Sequence, residues 1–168
     1  MQRVLLVGLA ASGKSTVADA IAASTGWPCL DNDLVLERSA GCSAEQLLAQ
    51  RGDDALRSAE AHVLTLTLSM PPPLVAGVAA SVVLDAGNRQ RLRSGGHVVW
   101  LRASVTTLVR RLAKAPHPTF PAGNRAAALR AMARERDPLY AEVAHQVLDM
   151  DVLAPALAAR QVVEAVRG

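Results

Sequence analysis

The segment Gly8-Leu9-Ala10-Ala11-Ser12-Gly13-Lys14-Ser15 sets two glycines, a lysine and a hydroxyl at the spacing G-x-x-x-x-G-K-[S/T]. That spacing suits the polyphosphate of a nucleotide. Gly8 and Gly13 let the backbone turn sharply and approach an anion with no Cβ in the way. The N–H groups of such a loop point inward around phosphate oxygens. A helix starting near Lys14 presents its positive end to the same charge. Lys14 is expected to reach the β- and γ-phosphates of ATP, and the Ser15 hydroxyl to ligate Mg²⁺.

Three further groups could act on a second substrate. Asp31 and Asp33 stand two apart after a short apolar run, and alternate residues of an extended segment point the same way. One carboxylate could hold Mg²⁺ through water while the other faces an acceptor hydroxyl; the plain alternative is a helix N-cap, a role that can coexist with these. Arg57 and Glu60 lie three apart, off the apolar face of a long helical stretch, where the plain alternative is a surface ion pair. Arg136 precedes Asp137-Pro138, where a helix is expected to break, and an arginine at such a break suits bidentate carboxylate binding.

The elements that must position these groups follow from hydropathy. Val4 to Val7 is a continuous apolar run, as expected of a parallel strand covered on both faces. Helix is expected from Ser15 to about Ser24, from the capping box Ser43-Ala44-Glu45-Gln46, and from Gly52 to about Ser69, with Leu56, Ala59, Val63 and Leu66 on one face. Pro71-Pro72-Pro73 ends that run. Trp27–Leu30, Leu74–Ala76, Ser81–Leu84, His97–Leu101 and His145–Asp149 read as extended. Helices are expected over Asn88–Arg93, Thr106–Lys114, Arg125–Arg136 and Pro155–Arg167, and a loop over residues 115–123. Strands alternating with helices predict an α/β fold with a parallel sheet, and ligands at the carboxyl ends of its strands.

Composition narrows the function classes. The chain of 168 residues is expected to form one domain, with a core of aliphatic layers because aromatics make up only 2%. The formal charge of +3 is spread without clusters, which argues against nucleic acid as a partner. Arg3 and the apolar run after it faintly suggest a leader, but Gly8 and Lys14 interrupt it, and no apolar stretch is long enough to span a membrane. Cys29 and Cys42 form no metal or disulfide pattern and are expected to be reduced packing thiols. A cytoplasmic monomer is expected.

Several of these features together resemble the shikimate kinase family, small P-loop enzymes of nucleoside-monophosphate-kinase type. They are Gly8 to Thr16, Asp31-Asn32-Asp33, Gly41-Cys42-Ser43, Leu56-Arg57-Ser58-Ala59-Glu60, Asn88-Arg89 and Arg136-Asp137-Pro138-Leu139-Tyr140, in family order across nearly the whole chain. The resemblance implies a three-layer P-loop fold with a five-stranded parallel sheet, a lid near residues 115–123 and a substrate-binding helical segment near 32–69. It implies transfer of the γ-phosphate of ATP to the 3-hydroxyl of shikimate. It assigns Gly8, Ala11, Ser12, Gly13, Lys14, Ser15 and Thr16 to the nucleotide, with Arg110 and Pro155 sandwiching the adenine. It also assigns Ser15 and Asp31 to the metal and Lys14 and Asp33 to catalysis, and implies that Arg57, oriented by Glu60, and Arg136 hold the substrate carboxylate.

Two departures stand out. The family's Gly-Gly-Gly is replaced by Ala79-Ala80-Ser81, which adds side chains where backbone approaches substrate. The family's lid Arg-Pro-Leu-Leu is replaced by His117-Pro118-Thr119-Phe120, so the lid position holds His117. An arginine that clamps a transferring phosphate can be worth about 10³–10⁵ in rate, and Lys114 or Arg125 are the nearby cations. The leading reading is a shikimate kinase. A kinase for another hydroxylated acid or polyol, and a nucleotide-binding protein with little catalysis, stay open beside it.

Overall fold

The computed structural model describes residues 2–114 and 123–168. The lid expectation, His117 included, lies outside the described residues. In chain order the elements are β1 (Arg3–Val7), α1 (Lys14–Thr25), β2 (Cys29–Leu30), α2 (Asn32–Ala40), α3 (Ala44–Ser69) and β3 (Leu74–Gly77). A 3-10 turn (Val82–Leu84), α4 (Ala86–Gly95), β4 (His97–Arg102), α5 (Val105–Lys114), α6 (Arg125–Val143), β5 (Gln146–Asp149) and α7 (Pro155–Arg167) follow.

The strands form one parallel sheet in the order β2-β3-β1-β4-β5. Every residue of β1 is buried, because it lies mid-sheet with helices on both faces. Its side chains alternate between two cores. Leu5 and Val7 pack with Leu64, Leu108, Leu129 and Tyr140 of α3, α5 and α6. Val4 and Leu6 pack with Val17 and Ile21 of α1 and with Ala158 and Val162 of α7. The result is the expected three-layer α/β sandwich. A smaller cluster of Leu36, Leu47, Leu56 and Val63 holds α2 against α3.

Several expectations need correction. Ser81–Leu84 is not extended; Val82 and Val83 are buried in a 3-10 turn that packs into the core. The helix expected to break near Pro138 runs on to Val143. A proline inside a helix removes one hydrogen bond and crowds the preceding turn, but Tyr140 and Val143 beyond it are fully buried, and that burial offsets the loss. On α3, Leu66 lies 36% exposed while Leu64 and Thr67 face the core, so the buried stripe drifts from the expected one. The α3 expectation of two helices does hold in the backbone: Gly52 interrupts it with φ 81 and ψ −179. Cys29 is exposed rather than packed.

At the amino end of the sheet two histidines stack, His97 on His145, with ring centroids 5.7 Å apart. The Val98 N–H donates to His145 Nδ1 at 3.0 Å, so the ring must be neutral at that nitrogen. Desolvation, then the charges of His97 and Arg93, push the His145 pKa below its ordinary value. The unfolded chain takes up this proton near pH 6.5, whereas the folded chain resists it. The stabilisation is therefore complete above about pH 6.5 and lost as pH falls toward the depressed value. Chemical denaturation should give a lower midpoint at pH 5.5 than at pH 7.5, and His145→Asn should flatten that difference. A parent midpoint equal at both pH values would contradict the arrangement.

Candidate active site

The turn from β1 into α1 is the phosphate loop, and its backbone is tightly specified. Gly8 has φ 147. A Cβ there would lie 2.7 Å from the Leu101 carbonyl oxygen and 2.8 Å from Ser12 Oγ, closer than any side chain tolerates. Gly13 sits at the amino end of α1 with φ 103. Between them Ala11 takes φ 64, an uncommon state for a residue with a side chain.

Arg111 of α5 holds that strained stretch in place. Its guanidinium donates to the carbonyl oxygens of Ala11 at 3.1 Å, Ser12 at 3.2 Å and Met150 at 2.8 Å. This residue was missed in the sequence, where Arg110 drew the attention. Arg110 is exposed and does not line the cleft, whereas Arg111 and Pro155 do. The signal that could have found it is helical phase. Thr107 and Leu108 are buried on α5, and Arg111 follows them on the same face at i+4 and i+3.

The loop opens on a cleft of about 660 Å³ at the carboxyl ends of the strands. Sheet order divides it. Arg111, Met150 and Pro155 follow β4 and β5 on one side of β1, and the segments after β2 and β3 lie on the other. The second side brings together Asp31, Asp33, Arg57, Glu60, Ala79, Ala80 and Ser81, and Arg136 of α6, which follows β4, reaches the same cleft near Glu60; Gly13, Lys14, Ser15 and Thr16 line the cleft between. Gly77, at the end of β3, packs against Lys14; a Cβ there would be 3.4 Å from the lysine Cβ.

Asp31 does cap α2. Its Oδ1 accepts from the N–H groups of Asp33 at 2.9 Å and Leu34 at 3.3 Å. Asp33 is already helical, so the two carboxylates meet the cleft because α2 begins there, not through strand alternation. Arg57 pairs with Asp53 at 2.7 Å rather than with Glu60. Glu60 instead accepts from the Ser81 hydroxyl. Arg136 is 12% exposed, and its Nε has no hydrogen-bond partner; Glu135 stands 3.6 Å off, near enough to attract but not to bond. The buried Tyr140 hydroxyl donates to the Ala80 carbonyl at 2.7 Å and so fixes the Ala79–Ser81 stretch. The buried Asn32 Oδ1, also unpartnered, lines the same side.

Two shifts mark this cleft as a place for charge. Burial lowers the Lys14 pKa from its usual value to about 8, against the opposing pull of Asp33 and Glu60 and with a further push from Arg136. Its Nζ meanwhile donates to the loop's own carbonyls, Gly8 at 2.8 Å and Leu9 at 3.0 Å. Burial also raises the Glu60 pKa, partly offset by Ser81 and Arg136. A part-buried lysine and a guanidinium whose Nε makes no hydrogen bond among the described residues are both better satisfied once an anion arrives.

Comparison with known proteins agrees with this geometry. A family model described as shikimate kinase matches residues 10–167. A shikimate kinase of Oleidesulfovibrio alaskensis is 39% identical, covering 94% of each chain. One of Paracidovorax citrulli is 41% identical, covering 85% of this chain and 79% of its own. Among solved structures, the Acinetobacter baumannii shikimate kinase in complex with shikimate superposes with a TM-score of 0.91 at 29% identity, covering 99% of this chain and 93% of that one.

The Arg111 clamp has a measurable consequence. Arg111→Ala should weaken binding of a non-hydrolysable ATP analogue about tenfold, since two charge-assisted bonds to the loop are lost. Arg110→Ala, an exposed change, should stay within about twofold. Isothermal titration reads both, and equal effects would remove the distinction drawn here.

Proposed function

The chain belongs to the shikimate kinase family, and on that premise we propose that it transfers the γ-phosphate of ATP to the 3-hydroxyl of shikimate. The observation that carries the proposal is a complete phosphate loop sharing one cleft with Arg136, whose buried Nε has no hydrogen-bond partner among the described residues. A cation so placed calls for an anionic acceptor, and shikimate is a carboxylate with hydroxyls.

In this reading the loop N–H groups and Lys14 gather the phosphate charge, and Lys14 exchanges a loop carbonyl for a phosphate oxygen. Arg136 and Arg57 hold the acceptor carboxylate, Arg57 by leaving Asp53. The acceptor oxygen forms its bond to the γ-phosphorus as the bond to the bridging oxygen of ADP breaks. Asp33 orients that hydroxyl and receives its proton. Arg111 keeps the loop in register, and Pro155 lines the side of the cleft given to the base.

The residues present suit Mg²⁺. Ser15 and Asp31 both line the cleft, and only Oδ1 of Asp31 is engaged by the α2 cap. Among the described residues no cluster of three or more acidic, histidine or cysteine side chains forms a dedicated cage. That is the usual state of a site where the metal is completed by nucleotide phosphates and water. When bound, the ion neutralises phosphate charge.

Arg125, one candidate to replace the lid arginine, donates instead to the Leu112 carbonyl at 3.3 Å and ties the start of α6 to α5. The side chains of Ala79, Ala80 and Ser81 line the acceptor side and keep a smaller or differently hydroxylated acid as the second reading.

ADP release with Mg²⁺–ATP should depend on shikimate, and Lys14→Ala should lower it about 10²–10³-fold. Turnover with another hydroxy acid but not with shikimate would replace the acceptor, and none with any acid would refute the kinase reading. A second expectation concerns pH. The charged form of Lys14 grips phosphate, and its pKa in the free protein is about 8. The kcat/KM for ATP should therefore fall as pH rises through about 8. A profile flat to pH 10 would show that Lys14 keeps its proton.

A further inference from the structure

The acceptor side holds a carboxylate that ought to defeat it. Glu60 shares the cleft with Arg136, and their charges influence one another. Among the described residues Arg136 has only the loose 3.6 Å approach of the more exposed Glu135 at its Nε, and a glutamate beside so weakly held a guanidinium would ordinarily close an ion pair with it. Such a pair would occupy the cation that the acceptor needs. Yet the Arg136 Nε has no hydrogen-bond partner among the described residues, and Glu60 is turned to the Ser81 hydroxyl instead.

We propose that Ser81 is a positioning residue that tethers Glu60 and so reserves Arg136 for an anionic acceptor. Ser81 can do this because its backbone is fixed from both sides. It opens the 3-10 turn whose Val82 and Val83 are buried, and the preceding Ala80 carbonyl is held by Tyr140. A hydroxyl on so rigid a segment offers one direction to its partner. Glu60 also feels groups on the other elements around it. Lys14 on α1 and Asp33 on α2 face it, as do Asp53 on its own helix and Arg136 and Tyr140 on α6. Arg57 is occupied by Asp53 and does not compete for Glu60. With the tether gone, Arg136 is the cation open to it.

The inference rests on the kinase reading for its kinetic arm but not for its structural one. In Ser81→Ala, KM for shikimate should rise about tenfold, the size of one charge-assisted bond, while KM for ATP stays within about twofold. Adding Glu60→Gln should bring the shikimate KM back toward the parent value, because a neutral amide competes weakly for a guanidinium. A residue that merely supported the fold would not be rescued in this way. Without any acceptor, a carbon-13 titration of the Glu60 carboxyl should show a lower midpoint in Ser81→Ala than in the parent, since an ion pair favours the charged form more than a hydroxyl does. An unchanged shikimate KM, a failure of the second substitution to restore it, or a Glu60 midpoint that stays or rises would each overturn the tether. If the parent turns over no shikimate, the kinase reading falls and the titration alone decides the tether.

Discussion

The rest of the molecule depends on one turn that has no room in it. Gly8 must take a conformation open to glycine, at a point where the Leu101 carbonyl and the Ser12 hydroxyl leave no space for a Cβ. That closeness requires β1 and β4 to lie side by side in fixed register, Val7 opposite Trp100. The sheet order follows from the same need. A loop leaving the central strand is flanked by β3 on one side and β4 on the other, so residues after β2 and β3 can form one substrate region, reached also by Arg136 of α6, and other residues after β4 and β5 a second.

The loop is not self-supporting. Ala11 sits in the left-handed region, where a side chain adds strain. Arg111 offsets this by drawing three carbonyls, from two segments far apart in sequence, onto one planar group. Lys14 turns back on the Gly8 and Leu9 carbonyls in the same spirit. Both cations stabilise the loop by interactions that a nucleotide can exchange or complement. The lowered Lys14 pKa expresses how poorly burial suits that charge without its phosphate.

Much of this was legible in the sequence because it is local. The phosphate loop, the capping box at Ser43, the glycine stops at Gly26 and Gly41, and the apolar runs of β1 and β4 are set by neighbours within a turn or two. What was not legible depends on residues far apart. Pro138 reads as a helix stop, and only the burial of Tyr140 and Val143 against the sheet carries α6 past it. Arg110 and Arg111 are indistinguishable as a pair of letters until the phase of α5 is fixed by Leu108 and Leu112. The partners of Arg57 and Glu60 also escaped. An i, i+3 pair looked self-sufficient, but Asp53 one turn back and Ser81 on the neighbouring wall, 21 residues on, proved the better geometry.

That last exchange shows how the departure at Ala79-Ala80-Ser81 fits the chemistry. Side chains in place of glycines remove space, and read alone they count against an acceptor in the cleft. The structure adds what a side chain brings. Ser81 supplies a hydroxyl that engages Glu60, and the 3-10 turn after it buries Val82 and Val83 where an extended strand would have left the segment less anchored. Tyr140 reaches the same segment from α6, one helical turn beyond Arg136, so the residue that fixes the wall and the residue that faces the acceptor share one rigid support. Loss of backbone freedom in the Ala79–Ser81 wall is thus coupled to order in the charges beside it on the acceptor side.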